Sequence, residues 1–318
     1  MRPEELRIEV APRRWWLAAL LTVVMPGLGH IYCGRVRRGL LVWGGLCALW
    51  IGGALGWARW LFVPVGPLLV GVGAWVALQV VLWADLGREV AAHGAEYRLR
   101  PINHPLSYLA VALGLGVLPL TLAGLWIERT MVGSVAIADD AMFPHLLPGD
   151  RVLYERSTFA ERAPAPGELV VVGGAAEATV ARVLAGAGET VELRDARPVI
   201  DGMALDQAPI EGMRVRHFGP EDEARLAALR GVVEARGERD WVVTYPRARP
   251  RTATRDPAPV VLADDEIFVL GDNRQAAIEQ AAYGRVPLDA VQGRPRYIWA
   301  SLGPDGRLRP GRVGLDVR

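Results

Sequence analysis

Hydrophobic residues are distributed unevenly along the chain, and their pattern divides it near residue 129. Apolar stretches precede this point at residues 15–32, 40–58, 61–84 and 106–127. The last three are each about 20 residues long, which is enough for a helix to span a bilayer. The first is interrupted at residues 25–29 by Met-Pro-Gly-Leu-Gly, a sequence that disrupts a helix at bilayer depth. We therefore predict a membrane domain over residues 1–129, with a re-entrant or interfacial hairpin at 15–34 followed by three spans.

After residue 130 the pattern changes, because short apolar runs alternate with turn residues. Runs typical of strands lie at residues 151–154, 169–172, 179–184, 190–193, 241–245, 267–270 and 297–301. One segment, residues 220–236, instead has Leu226, Leu229 and Val233 at helical spacing. These patterns predict a mainly β domain over residues 130–318 with a small helical insertion.

The arginines indicate an orientation for the membrane domain, since short cytoplasmic loops collect positive charge. Arginines flank the first apolar stretch and follow the third, at positions 13, 14, 35, 37, 38, 88, 98 and 100. Arg59 alone separates the second and third stretches. If the first stretch is a hairpin, every arginine-rich loop lies inside and the β domain emerges on the outer face. We also expect the N-terminus to stay attached, because no small-residue cleavage site follows the first apolar run.

Composition removes several classes of function. The net charge is only +1, so the basic excess that neutralises phosphates is missing and no nucleic-acid partner is expected. Cys33 and Cys47 lie in the apolar half without neighbours at metal-ligand spacing, and we interpret them as packing residues. The chain contains no lysine, so all 36 basic residues are arginine. No metal and no cofactor are expected.

The segment that follows the last predicted span carries the first motif. Residues 139–150 read D-D-A-M-F-P-H-L-L-P-G-D. They resemble the box S-x-S-M-x-P-T-L-x-x-G-D of the type I signal peptidases, and the residues in register are Met142, Pro144, Leu146, Gly149 and Asp150. Ala141 occupies the position of that family's nucleophilic serine. Asp139 occupies the position of the serine that can help to bind the oxyanion.

Two further boxes support the same resemblance. Residues 167–172 and 179–189 resemble the family's G-D-V-V-V-F and Y-I-K-R-V-I-G-L-P-G-D, in a register that Arg182 and Gly188 anchor. Ala181 therefore stands at the position of the general-base lysine. Residues 268–274 read F-V-L-G-D-N-R, which reproduces the family's third box through Gly271, Asp272, Asn273 and Arg274. The family's following S-x-D-S-R pattern has decayed, and its positions hold Ala277, Glu279, Gln280 and Ala281.

The chain thus resembles the type I signal peptidases, peptidase family S26, as a degenerate member without the serine–lysine dyad. The resemblance covers nearly all of residues 130–318. It implies a multi-pass protein of the bacterial cytoplasmic membrane, with the lipid bilayer as one partner and signal peptides or exported proteins as possible others. It also implies that Met142, Pro144, Gly149, Asp150, Arg182 and residues 271–274 maintain the fold.

The same resemblance predicts that the family's chemistry fails here. In that family an unprotonated lysine removes the proton from a serine hydroxyl as the oxygen attacks the scissile carbonyl. Alanine at positions 141 and 181 can do neither, so no catalytic group is expected to be intact. The chain's serines are Ser107, Ser134, Ser157 and Ser301, and none falls at a motif position. Ser134 precedes Ala141 by seven residues, which is about 23 Å in an extended strand.

His145 stands at the position of a family threonine, and we interpret it as a polar surface residue. A metal site that combines it with Asp139 or Asp140 is disfavoured, because no further ligand follows at suitable spacing.

Three functions remain open from the sequence. The leading hypothesis is a non-catalytic pseudoprotease that binds signal peptides or membrane-protein segments. The second is an active signal peptidase I, a membrane serine endopeptidase with an unrecognised mechanism. The third is a membrane scaffold protein in which the apolar half is the working portion.

Overall fold

The computed structural model describes residues 12–56, 66–93, 97–98, 103–160, 162–173, 178–215, 217–248, 258–280 and 283–317. The chain divides into two compact units, Met1–Glu128 and Arg129–Arg318. The first is helical in its described part, and the second is built mainly from strands.

The first unit contains helices α1 to α5, and α6 runs to its end and just beyond. Their bounds are α1 Trp15–Val24, α2 Leu28–Tyr32, α3 Val36–Gly56, α4 Gly66–His93, α5 Pro105–Val111 and α6 Leu118–Thr130. The apolar stretch at 15–32 forms two helices, because the chain turns at Met25, Pro26 and Gly27. Gly27 has a φ of +97°, and a Cβ added there would lie 2.2 Å from the carbonyl oxygen of Gly39. Only glycine permits this turn against α3.

One helix among the described residues is long and apolar enough to cross a membrane. It is the continuous helix Pro105–Thr130, in which a π-helical segment at Ala112–Val117 joins α5 to α6. The predicted span at 40–58 falls mostly in α3, and the one at 61–84 reaches into α4, but residues 57–65 lie outside the described part. The multi-span arrangement therefore stays a prediction.

The second unit contains strands β1 to β14 and helices α7 and α8. The strands are β1 Val132–Ala136, β2 Asp150–Glu155, β3 Leu169–Val172, β4 Thr179–Ala185, β5 Thr190–Arg194, β6 Arg197–Ile200, β7 Met203–Ala204, β8 Asp206–Ile210, β9 Leu229–Arg236, β10 Arg239–Pro246, β11 Val260–Val261, β12 Glu266–Leu270, β13 Tyr283–Pro287 and β14 Val291–Ser301. The helices are α7 Pro220–Ala227 and α8 Arg274–Glu279. All seven predicted strand runs lie within these strands.

The strands form three antiparallel sheets. The largest has seven strands in the order β1-β2-β14-β3-β4-β12-β13, a four-stranded sheet has the order β11-β5-β6-β7, and a three-stranded sheet has the order β10-β9-β8. The motif segments border the large sheet, since residues 139–149 connect β1 to β2 and residues 271–274 follow β12. This arrangement brings segments far apart in sequence to one place.

The helix predicted over residues 220–236 was wrong in its second half. Helix α7 ends at Ala227, and the segment from Leu229 onward is strand β9. Val232 and Val233 are β-branched and pair with Val243 and Val242 of β10. Pairing along the whole of β10 outweighs the helical spacing of the apolar residues.

Candidate functional site

Ala141 lies in the connection between β1 and β2 and is completely buried. Its N–H donates a hydrogen bond to the Asp139 carboxylate, with 3.0 Å between Ala141 N and Asp139 Oδ1. Its carbonyl oxygen accepts a hydrogen bond from the Asn273 N–H at 2.9 Å. The Asn273 side chain also donates from Nδ2 to the Asp140 carbonyl oxygen at 3.2 Å. The turn after β12 therefore holds the segment around Ala141 on both sides of that residue.

Gly271 allows this close approach. A Cβ added at Gly271 would lie 2.3 Å from the carbonyl oxygen of Ala141 and 2.9 Å from the Cβ of Ala277. Real Cβ atoms do not approach backbone this closely, so the contact requires glycine. Ala277, on α8, is completely buried at this contact.

Ala181 lies in the middle of β4, opposite Val170 of β3, and only 1% of its surface is exposed. Its apolar cluster contains Val170, Val172, Val183, Ile267 and Val269. Ala141 belongs to a different cluster, which includes Leu270 and Ala277. The two positions that the motifs predict as the family's catalytic positions therefore hold small apolar groups that pack in separate clusters.

The residue that follows Ala181 is part of a buried ion-pair network. Arg182 donates from Nε and Nη2 to the two carboxylate oxygens of Asp272, each at 2.7 Å, and from Nη1 to the Gly167 carbonyl oxygen at 2.8 Å. Burial disfavours the charged form of Asp272, but the Arg182 guanidinium outweighs it and holds the pKa of Asp272 well below its usual range. Arg182 and Asp272 thus tie β4 to the turn after β12.

His145 is not the simple surface residue that the sequence predicts. Its Nδ1 lies 3.0 Å from Asp272 Oδ2, and only 30% of its side chain is exposed. Its carbonyl oxygen accepts a hydrogen bond from Arg312 Nη2 at 3.0 Å. The prediction failed because the partner, Asp272, is 127 positions away in the sequence and only the fold brings the two together.

A second buried network surrounds Arg274. Arg274 and Glu234 form an ion pair, and both side chains are completely buried. Tyr245 donates its hydroxyl to Glu234 Oε1 at 2.6 Å, and Arg274 Nη1 donates to the Gly271 carbonyl oxygen at 2.8 Å. Burial and the neighbouring Glu234 raise the pKa of Tyr245, so its hydroxyl stays protonated and donates. Sequence reasoning missed Glu234 because it lies in β9, where a helix was predicted.

A third network closes the far end of the motif segment. Asp150 is completely buried and accepts from Ser301 Oγ at 2.6 Å, from Arg312 Nη2 at 2.6 Å and from the Leu147 N–H at 2.8 Å. Gly149 has a φ of +88°, and an added Cβ would lie 2.1 Å from the carbonyl oxygen of Leu302. Gly149 and Asp150 are expected to maintain the fold, and these contacts with Ser301, Leu302 and Arg312 show how they can do so.

Met142 and Pro144 lie in the same connection. Met142 is 1% exposed and packs with Val135, Leu146, Val152 and Val180. Pro144 follows Phe143 through a cis peptide bond. Phe143 is 1% exposed, and its ring centroid lies 5.4 Å from that of Phe218 in the chain before α7. Apolar contacts thus complete the anchoring of this segment.

The two serines of the β domain whose side chains the structure describes are engaged in hydrogen bonds with other residues. Ser134 Oγ accepts a hydrogen bond from Trp299 Nε1 at 2.8 Å, and Ser301 is bonded to Asp150. No group of three or more His, Cys, Asp or Glu side chains that could hold a metal ion occurs among the described residues. Among the described residues, backbone groups and small side chains surround Ala141, and the buried Thr244 hydroxyl donates a hydrogen bond to the Phe143 carbonyl oxygen at 3.3 Å.

Comparisons with known proteins identify the family. The model of the family described as "Signal peptidase, peptidase S26" matches residues 110–300, and the chain belongs to that family. A protein named Signal peptidase I from Leptolyngbya laminosa is 24% identical over 213 residues, which are 64% of this chain and 80% of that relative. A crystal structure of a signal peptidase I from Enterococcus faecalis aligns with 18% identity and a TM-score of 0.23, covering 42% of this chain and 97% of that one.

The family membership predicted from the motifs is confirmed, as is a mainly β domain of the signal-peptidase kind. The family is membrane-associated, and this chain has the apolar helix Pro105–Thr130. The assignments of Ala141, Ala181 and Asp139 to the family's nucleophile, general-base and oxyanion-helper positions stay predictions.

Proposed function

We propose that this chain is a non-catalytic signal peptidase I-like protein, a pseudoprotease that binds signal peptides or membrane-protein segments in extended form. The observation that carries the proposal is the hydrogen bond from the Ala141 N–H to the Asp139 carboxylate. It occurs at one of the two positions that the motifs predict as catalytic, both of which hold buried alanines.

The hydrogen bond bears on hydrolysis because serine peptidases stabilise their tetrahedral intermediate with oriented N–H donors. The nucleophile's own N–H is commonly one of these donors. Here the equivalent N–H is already bonded to a carboxylate, whose negative charge would repel a developing oxyanion. Both the attacking group and the anion-stabilising group are therefore compromised at the same residue.

Peptide binding does not require these groups. Strand β1 is the terminal strand of the seven-stranded sheet, and in the described part of the chain it pairs only with β2. The C-terminal end of β1 leads, after two residues, to the Asp139–Ala141 segment. An extended peptide can add to such an edge through main-chain hydrogen bonds. Ser134 and Ala136 are exposed on β1, so one face of the strand is accessible.

The alternative of an active peptidase has one structural feature in its favour. His145, which lies four residues after Ala141, forms an imidazole–carboxylate pair with Asp272. Such a pair can orient a general base. A base still needs a nucleophile to activate, and Ala141 offers none. We therefore place hydrolysis second.

Site-specific photo-crosslinking tests the binding function. A photoreactive residue at Ala136 or Ala138, both exposed near the β1 edge, should capture signal peptides or membrane-protein segments in native membranes. The same residue at Val261 of β11, which is 65% exposed in another sheet, is the matched control. Capture at neither β1 position, or equal capture at Val261, would leave the domain with a preserved fold and no peptide site.

We also propose the multi-pass arrangement with the β domain on the outer face of the cytoplasmic membrane. The arginine distribution supports it, as does the helix Pro105–Thr130 directly before the β domain. A single cysteine at exposed Arg37, in a chain without Cys33 and Cys47, should be protected from an impermeant maleimide added outside. A cysteine at Ala138 should be labelled under the same conditions. Labelling at position 37 would contradict the hairpin.

A further inference from the structure

Arg294 on β14 is half-buried, whereas Arg197 and Arg214, which likewise have no partner among the described residues, are exposed. Among the described residues, no carboxylate lies within ion-pair distance of its guanidinium and no acceptor takes a hydrogen bond from it. In the strand register it stands opposite Glu155 of β2. A partly desolvated guanidinium without an anion is an unfavourable arrangement.

The carboxylates near Arg294 are already engaged by other arginines. Glu155 accepts from Arg296 Nη2 at 2.6 Å and from Arg296 Nε at 3.2 Å. Glu168 accepts from Nη1 and Nη2 of Arg162, each at 2.7 Å, and from the Ala165 N–H at 2.9 Å. Both carboxylates are therefore held by bonds that leave Arg294 out.

Other positive charges surround the same place. Arg239 Nη1 lies 3.6 Å from Glu168 Oε1, so a further guanidinium shares a carboxylate that Arg162 already binds. Burial and the charges of Arg296, Arg162 and Arg239 lower the pKa of Arg294, and the Glu168 carboxylate, which raises it, offsets them only in part. We call Arg162, Arg239, Arg294 and Arg296 the arginine cluster. Arg162 and Arg239 pair with Glu168, and Arg296 pairs with Glu155, so the four guanidinium groups outnumber these two carboxylates and leave an excess of positive charge.

We propose that the arginine cluster is a binding site for an oxyanion of the phosphate class, with Arg294 as its central ligand. A guanidinium group presents a planar fork of N–H donors that matches the oxygens of a phosphate. A phosphate also carries the one to two negative charges that would balance the cluster. The ligand chemistry is the same for a phospholipid headgroup and for free phosphate. This proposal is independent of peptide binding at β1.

Thermal unfolding of the full chain in a non-ionic detergent tests the site with inorganic phosphate as the probe. At constant ionic strength, replacing chloride by phosphate at about ten times its dissociation constant should raise the Tm by roughly 3–5 °C. Arg294→Gln should abolish that shift. Without phosphate, the same variant should unfold at the wild-type temperature or above it, because the substitution removes repulsion among like charges. An arginine with a merely structural role would lower the Tm instead.

Two further variants control for folding and for general charge effects. Arg294→Lys keeps the charge but loses the fork, so it should retain only part of the shift and serves in place of Arg294→Gln if that variant does not fold. Arg197→Gln removes an exposed arginine from β6 in another sheet and should keep the full shift.

A soluble short-chain phosphatidylglycerol, used below its micellar concentration, distinguishes the two sources of phosphate. A shift with this lipid alone assigns the site to a headgroup, a shift with phosphate alone assigns it to the free anion, and shifts with both support a general oxyanion site. Absence of a shift with either ligand in the wild-type chain, or an undiminished shift in Arg294→Gln, would overturn the proposal.

Discussion

Two parts of the β domain contrast in how they use buried positions. Ala141 and Ala181, which the motifs predict to occupy the family's catalytic positions, carry methyl groups that pack in apolar clusters. By contrast, Arg182, which follows Ala181, is buried with a charged partner at hydrogen-bonding distance, and so are Asp272 and Arg274, which follow β12. Charged side chains thus occupy the buried positions that join strands and turns, whereas the two predicted catalytic positions hold methyl groups.

The physical reason lies in the cost of each change. Alanine at a buried position costs little if its neighbours pack against it, so loss of a catalytic group leaves the fold intact. Removal of one partner from a buried ion pair instead leaves an uncompensated charge in a low-dielectric interior. Stability alone is therefore sufficient to keep the networks, whereas only a need for catalysis would keep the dyad.

The largest effect on stability should follow from breaking the Glu234–Arg274 pair. Glu234→Ala leaves the Arg274 guanidinium completely buried without its carboxylate, and we expect a loss of about 3–5 kcal/mol in the free energy of unfolding. The measurement is denaturant unfolding of the full chain followed by circular dichroism. The double variant Glu234→Leu, Arg274→Met removes both charges and should lose much less. A small effect of Glu234→Ala alone would show that the network does not hold the domain together.

A smaller loss should follow from Gly271→Ala. The new Cβ would lie 2.3 Å from the Ala141 carbonyl oxygen, so one of the two backbone segments must shift, at a cost of about 1–3 kcal/mol. Gly186→Ala is the matched control, because an added Cβ there meets nothing within 4 Å. Equal unfolding free energies for the two variants would mean that the close contact between Gly271 and Ala141 does not stabilise the domain.

The pH dependence of stability should show the smallest of these effects. Burial opposes the ionisation of Glu168, but Arg162 and the Ala165 N–H outweigh it and lower the pKa of Glu168 from 4.5 to about 2. Because the folded-state pKa is the lower one, this stabilisation is complete above pH 4.5 and is lost as the pH falls towards 2. Glu168→Gln should therefore flatten the decrease in the free energy of unfolding over this interval, by an amount on the order of 1 kcal/mol because solvent screens part of the interaction. An unchanged pH profile in the variant would contradict the assignment.

The sequence was informative where local pattern and motif spacing decide the structure. The run at 169–172 coincides with β3, and the motif residues Gly271 to Arg274 lie where β12 ends and α8 begins. Both outcomes follow from features that lie within a few residues of one another. Membership of the family could therefore be predicted from the motifs alone.

Features that depend on distant contacts could not be predicted. Glu234 becomes the partner of Arg274 only through the pairing of β9 with β10, and its segment has the apolar spacing of a helix. The contact of His145 with Asp272 and the crowding around Arg294 likewise join residues from separate strands and turns. The hydrogen bond from Ala141 to Asp139 spans only two residues, but it depends on a turn geometry that the motif does not specify.

Signal-peptide cleavage by the purified full chain, measured beside an intact family member, tests the central claim most directly. The intact family member is the positive control, and the variant Asp139→Ser, Ala141→Ser, Ala181→Lys is measured in the same assay. It should be more active than Ala141→Ser, Ala181→Lys by roughly 10²-fold, because it frees the N–H of residue 141 for an oxyanion. The wild-type chain should be slower than the intact relative by at least about 10⁴-fold. Wild-type turnover within about tenfold of that relative would contradict the account, since it would require a nucleophile that Ala141 cannot provide.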